Sequence, residues 1–489
     1  MAEELEQGAS AGEESVSFLD RAISATKQTA PDRTKELLSS LTQEAMSGTV
    51  TWSKNLTDTI NSAVAAIDEK MSAQLSTIMQ QESFQKLEGS WRGLQKLVQN
   101  SELGTSQKIR LMNISKDELL EQFEDAPAVD RSPLFNALYQ HEYGTAGGEP
   151  YGLLLGDYEF SQSGEDVALL RYMGEVAAAS HAPFISAASA NMFELDSFTT
   201  FSEGKPIAAA FDSASYASWN AFRESDDARY VALTMPRTLA RMPYGGSGKS
   251  IDSFDFNELS LDKAGNPKPS SNDDLVWSNA AYELALNMNK SFEAYSWCTA
   301  IRGMENGGKV EALPNLTYLS DSGDLKQQCP TEVNLTDERE KELSDLGFMP
   351  LVHYKNMDYA VFVGGQTTQK PKTFTDPEAT SNAAISARLP YIMASSRIAH
   401  YLKVMGRDNI GSNMEANDIK EQLSKWIGQY TNSGAIGNDE RAKTPLAESS
   451  IEVVEQPGKP GAYAAVARLR PWLQMEELTT SIRMVANLP

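Results

Sequence analysis

The chain has 489 residues, 41% of them hydrophobic, and a formal net charge of −24. Such a length supplies core for two or three domains, and such acidity disfavours a nucleic-acid backbone as partner and favours solubility or a basic protein surface instead. No run of about 18 apolar residues predicts a membrane span, the acidic start Met1-Ala-Glu-Glu-Leu-Glu-Gln is no signal peptide, and two cysteines, Cys298 and Cys329, make no disulfide framework and point to a reducing cytoplasm.

Residues 1–14 are acidic and small and read as disordered. From Ser15 to Lys27, Val16, Leu19 and Ile23 form a helical stripe with Phe18 beside it. This predicts a short amphipathic helix, either docked on its own domain or displayed for capture in a groove. Pro31 ends it, and a second helix is predicted from about Asp32 to Met46.

Ser53 to Gln81 is the longest helical pattern. Its apolar residues Leu56, Ile60, Val64, Ile67, Met71, Leu75 and Ile78 step by 4, 4, 3, 4, 4 and 3. That eleven-residue repeat keeps the stripe nearly straight along the helix, and its narrowness suits one or two partner helices.

Ile109 to Ile114 is predicted as a strand, followed by a helix capped by Ser115 with Glu118 in the capping-box position. Ser132-Pro133 starts another helix. Gly152 to Asp157 predicts a buried strand and Asp166 to Ala179 a helix. Strand and helix patterns alternate, so the chain reads as mixed α/β, of the α+β kind. Residues 247–274 read as a surface loop, Ser278 to Arg302 as helix, and Pro371 to Pro377 as a boundary near residue 375.

Met414 to Tyr430 predicts an amphipathic helix. Ile419, Leu423, Trp426, Ile427 and Tyr430 share one side, with Asp418, Glu421 and Lys425 opposite. Ile451 to Glu455 and Tyr463 to Leu469 then flank the turn Pro457-Gly458-Lys-Pro460-Gly461, a hairpin signal. Leu478 to Met484 alternates with period two, as a half-buried strand does. A terminal hairpin either closes the sheet of its own domain or leaves an edge that templates another chain's strand.

Catalytic chemistry finds little support. Gly245-Gly-Ser-Gly248-Lys249-Ser250 suggests a phosphate loop, but the first glycine such a loop needs is Pro243, and no helix start follows. His141, His181, His353 and His400 have no zinc-like spacing, and the apolar neighbours of His181 and His400 predict satisfied core histidines. No nucleophile elbow occurs. No catalytic residue, metal site or cofactor is therefore expected, and assembly is favoured over enzymatic work.

The run Trp91-Arg92-Gly93-Leu94-Gln-Lys-Leu97-Val98 resembles a hallmark of the large subunit of the type VI secretion contractile sheath, the VipB/TssC family. The resemblance continues through Gly152-Leu-Leu-Leu-Gly-Asp157, Ala177-Ala-Ala-Ser-His-Ala-Pro-Phe-Ile185, Pro236-Arg-Thr-Leu-Ala-Arg-Met-Pro-Tyr-Gly245, Cys329-Pro-Thr-Glu332, Ser386-Ala-Arg-Leu-Pro-Tyr391 and Leu469-Arg-Pro-Trp-Leu-Gln474. It covers roughly residues 80–489, and Trp472 departs from an expected His.

The resemblance implies a non-enzymatic sheath subunit. Such a subunit pairs with a small sheath subunit of VipA/TssB type, and the pairs stack with further copies around Hcp-type rings from a cytoplasmic baseplate. The sheath contracts to drive the tube through a target membrane and is taken apart by a ClpV-type AAA+ ATPase. No nucleic acid and no direct membrane insertion are implied. Three regions are expected: residues 1–52 with the ATPase-recognition helix (Val16, Leu19, Ile23), a large sheath domain at 53–375, and a C-terminal domain at 376–489. Leu56, Ile60, Val64, Ile67 and Met71 are expected to meet the small subunit. Ile451, Val453, Tyr463, Val466 and Leu469 are expected in inter-subunit strands, and Asp418 and Glu421 toward the tube. The alternatives are a single-component phage or bacteriocin tail sheath, and a nucleotide-binding hydrolase using Gly248, Lys249 and Ser250.

Overall fold

A computed structural model describes residues 56–456 apart from 146, 203–206 and 247–255, then 462–472 and 474, with Glu36 and Ser39 before them. The helix Ser15 to Lys27, the strand Leu478 to Met484 and the residues Gly248 to Ser250 lie outside the described residues. Glu36 and Ser39 are helical.

The chain divides into two compact units. The first comprises residues up to Phe84, 243–270 and 318–324. Its main element is helix α1, Leu56–Met79. Ala63 and Met79 are buried, and the Ser76 hydroxyl donates to the Glu258 carbonyl at 3.4 Å. The loop beside it is pinned locally: the Glu258 carboxylate accepts from the Tyr244 N–H at 2.9 Å, and Asp262 accepts from three backbone N–H groups.

The second unit comprises residues 85–242, 271–317 and 325–489. It includes α2 from its second turn on (Glu82–Gln99), α3 (Lys116–Glu124), α4 (Gly164–Ser180), α5 (Ala217–Arg223), α6 (Ala281–Tyr295), α7 (Asp337–Asp345), α8 (Pro377–Ser386), α9 (Leu389–Asp408) and α10 (Ala416–Gly428). Besides short two- and three-residue pieces outside the main sheet, its strands are β1 (Leu154–Phe160), β2 (Phe184–Ala188), β3 (Val231–Met235), β4 (Lys309–Val310), β5 (Met349–His353), β6 (Ala360–Phe362) and a hairpin, β7 (Leu446–Glu455) with β8 (Tyr463–Pro471). The fold class is mixed α/β, as the alternating patterns predict.

The main sheet has the order β1-β2-β3-β5-β6-β4. Its first four strands run parallel, and β6 pairs antiparallel to both neighbours. A parallel sheet needs cover on both faces. On one face Val231, Leu233 and Met235 join Phe160, Phe184, Phe348 and the α4 residues Leu170, Met173 and Val176. On the other, Ile185, Ala232, Met349 and Leu351 pack with Leu284, Ala285 and Met288 of α6. Side chains alternate between the two cores along each strand.

The predicted capping box is present: Ser115 and Glu118 bond reciprocally at the start of α3. The predicted strand 109–114 is not a strand. The segment runs beside β1 but is tied by side chains. Arg110 donates to Tyr151 at 2.9 Å, the Tyr158 hydroxyl to the Ile114 carbonyl at 2.8 Å, and Lys116 to the Glu159 carbonyl at 3.1 Å. Ile109 and Ile114 pack inward while Leu111 and Met112 stay exposed. Apolar content alone does not distinguish such a strap from a laddered strand. Helix α6 also stops at Tyr295, short of Arg302, because Ser296 takes a left-handed cap with φ of 64°.

Candidate assembly surfaces

The hairpin has the longest ladder in the structure. It pairs from Leu446 with Pro471 to Glu455 with Tyr463, with one irregularity between Leu446 and Glu448. An isolated two-stranded hairpin is marginal in water and needs a packed face. Here Ile451, Val453, Ala467 and Leu469 turn one face into a small core with Ile398 of α9 and Leu423 and Ile427 of α10. The other face carries Glu448–Arg470 at 3.2 Å and Glu452–Arg468 at 3.6 Å, with Val454 and Val466 exposed.

Neither strand has a further laddered neighbour among the described residues. Only the base is covered, where Thr431 bridges Leu446. Of the five residues predicted for inter-subunit strands, Ile451 is buried and Val453 and Leu469 half-buried on the packed face. Tyr463 is half-buried and Val466 exposed. The side chains of Ile451, Val453 and Leu469 hold the hairpin down, and an edge without a ladder is a template for pairing.

The α1 stripe faces solvent. Ile60, Val64, Ile67 and Met71 are 37–55% exposed, and Ile78 is 51% exposed; Leu56 begins the helix. Polar exposure would be ordinary for a surface helix. A continuous apolar line is not, and such lines mark interaction faces.

Helix α2 is seated by glycine. A Cβ on Gly89 would lie 2.1 Å from the Trp277 carbonyl oxygen, and one on Gly93 would lie 2.4 Å from the Tyr282 ring. Arg241 reaches across to Glu88, with Nη2 to Oε2 at 2.9 Å. Burial opposes the charge on Glu88, but Arg241 and Arg92 outweigh it and hold the carboxyl below its ordinary range. With the glycines turned inward, Trp91 is left 59% exposed beside Leu87. Motif reading singled out this run but not its two-sidedness; the Gly89-x-x-x-Gly93 spacing was the available signal.

On α10, Leu423 and Ile427 are buried and Asp418 and Glu421 exposed, as the pattern predicts. Asp418 also has a local task, accepting from the Glu415 N–H at 3.0 Å in a capping box. Val16, Leu19 and Ile23 lie outside the described residues.

A family profile for the "EvpB/VC_A0108, tail sheath N-terminal domain" matches residues 61–369, and one for the "EvpB/VC_A0108, tail sheath gpW/gp25-like domain" matches residues 378–488. The chain belongs to the VipB tail-sheath family. A full-length relative agrees: the type VI secretion system sheath protein TssC1 of Pseudomonas aeruginosa is 43% identical over 495 residues, covering 100% of this chain and 98% of the relative. Two solved assemblies show remote likeness. The anti-feeding prophage baseplate matches at TM-score 0.34 and 9% identity, over 66% of each chain. The contracted anti-feeding prophage sheath matches at TM-score 0.30 and 11% identity, over 65% of this chain and 66% of that one.

Within this VipB-family chain, Trp472 stands where a His was expected. Its indole carries the Arg441 guanidinium at 4.6 Å, and its backbone N–H donates to the Pro445 carbonyl at 3.1 Å. That main-chain bond ties the end of β8 to the base of the hairpin. No helix among the described residues is long and apolar enough to cross a membrane.

Proposed function

We propose that this sheath protein acts without enzymatic chemistry as the large subunit of a two-component type VI sheath in the bacterial cytoplasm. It pairs with a small subunit of VipA/TssB type, and the pairs polymerise from a baseplate around Hcp-type rings. The observation that carries this reading is the hairpin β7–β8: one face packed on α10, and neither edge laddered to a further strand among the described residues. Strands donated by neighbouring protomers extend it, and main-chain ladders keep protomers joined while they move during contraction.

The exposed stripe Ile60, Val64, Ile67 and Met71, begun by Leu56, receives the small subunit. The exposed Asp418 and Glu421 make a modest polar contact to the tube, one that releases on firing. Val16, Leu19 and Ile23 form the element that a ClpV-type AAA+ ATPase recognises once contraction uncovers it.

Proline at Val466 tests the strand reading, because it removes an N–H in mid-strand. Co-expressed with the small subunit, Val466→Pro is expected to leave a folded chain that no longer sediments as tubules. Tubules at the parental yield would overturn it.

A further inference from the structure

We propose that α9 is fastened to the end of α4 by an acid-sensitive latch, in which two facing histidines must both be neutral for the latch to close.

Three donors on one face of α9, at spacings of three and four, reach backbone carbonyls. His400 Nε2 bonds the Ser180 carbonyl at 3.0 Å. Lys403 Nζ bonds the Ala179 carbonyl at 3.4 Å. Arg407 bonds the Thr145 carbonyl at 3.2 Å. The first two carbonyls are the orphan acceptors at the C-terminus of α4, where cations and donors are favoured. The Tyr143 hydroxyl shares Ser180 at 2.8 Å, and the Lys403 ammonium lies over the Tyr139 and Tyr143 rings at 5.0 and 4.7 Å.

His181 caps α4 in the left-handed region, φ 50°, and its ring stands 6.2 Å from that of His400. His400 is 4% exposed, and its Nδ1 is buried with no hydrogen-bond partner. A proton there would be a buried, unbonded charge. The charged groups acting on the two rings are Lys403, on both, and Arg397, on His400; among the described residues no carboxylate acts on either. The Tyr143 ring lies 6.0 Å from that of His400. Burial, helped by Lys403 and, on His400, by Arg397, outweighs the raising effect of the Ser180 bond to His400 and lowers each histidine from 6.5 to about 4.

The sign follows from linkage. A ring that is harder to protonate in the closed latch than in the open one stabilises closure fully above pH 6.5. That stabilisation is lost as pH falls from 6.5 toward 4. Opening should grow about tenfold per pH unit for each histidine in that window.

The latch has a mechanical consequence. The other side of α9, with Ile398, Leu402 and Met405, belongs to the small core shared with α10 and the hairpin. Opening therefore loosens the support of the strands proposed to join protomers. That consequence rests on the proposed function; the latch itself does not.

Amide exchange of the full-length chain tests it, read on peptides covering 179–181 and 398–408 and corrected for intrinsic rates between about pH 7 and pH 5. The parent is expected to open progressively. The double variant His400→Gln, His181→Asn should give a flat profile. Glutamine keeps an N–H donor without titrating, and asparagine tolerates the left-handed cap. Corrected rates in the parent that do not change with pH would overturn the proposal, as would a double variant as steep as the parent. Ring titration of the four histidines in the parent needs no variant: two should stay neutral down to about pH 5, and four ordinary titrations near 6.5 would contradict the latch. Sheath yield measured over the same range separates the readings, since a latch that opens without loss of sheath spares the latch and sinks only its link to assembly.

Discussion

Gly93 lies so close to Tyr282 that a Cβ would approach its ring carbons to 2.4 and 2.7 Å. The ring is buried, and burial and the hydrogen bond to Asp157 both raise the phenol's pKa. Gly89 meets backbone instead, at 2.1 Å from the Trp277 carbonyl oxygen. Overpacking of this kind costs about 1–3 kcal/mol. Gly89→Ala is therefore expected to lower the unfolding free energy by about that amount and shift the denaturant midpoint down, and by more than Gly93→Ala, because a carbonyl cannot rotate aside as a ring edge can. Equal midpoints for parent and Gly89→Ala would contradict the seating of α2.

The α1 stripe makes the opposite prediction for stability. Ile67 is 55% exposed, so Ile67→Asp should change the stability of the isolated chain by no more than about 0.5 kcal/mol. Co-purification with the small subunit should be lost. Retained pairing would place the small subunit elsewhere.

Arg237 and Glu332 form a paired fork, with Nε to Oε2 at 2.9 Å and Nη2 to Oε1 at 2.8 Å. The Glu332 side chain is 3% exposed and that of Arg237 31%. Glu332→Gln leaves the guanidinium with a neutral partner in a largely buried place. A loss of about 2 kcal/mol is expected in equilibrium unfolding, whereas Glu159→Gln, 3.7 Å away on a more exposed side chain, should cost far less. Comparable losses in the two variants would mean that burial does not set the value of these pairs.

The recognition segment is tested in contracted sheath. Leu19→Asp is expected to abolish binding of the AAA+ ATPase without reducing sheath yield. Undiminished binding would remove Leu19 from the recognition surface.

Local chemistry was legible in the sequence. The Ser115 and Glu118 box, the Pro/Gly turn between β7 and β8, and the inward side of α10 each follow from residues within a few positions of one another. Long-range pairing was not. Nothing near residue 110 says that its neighbours are Tyr151 and Glu142, so a side-chain strap and a strand look alike in the sequence. Arg237 and Glu332 both sit in recognised motifs, yet only the fold shows that these motifs meet. His181 and His400 were expected as satisfied core residues. His400 is buried and bonded through Nε2, but its Nδ1 is not satisfied, and His181 is a half-buried cap rather than core. Their approach across a sequence separation of more than two hundred residues has no local signature.

The most direct test of the two-component sheath is negative-stain electron microscopy of this chain expressed alone and with a small sheath subunit. The account predicts tubules only in the second sample. Tubules from the single chain would favour a phage-like sheath, and their absence from both samples, with the partner present, would contradict the account.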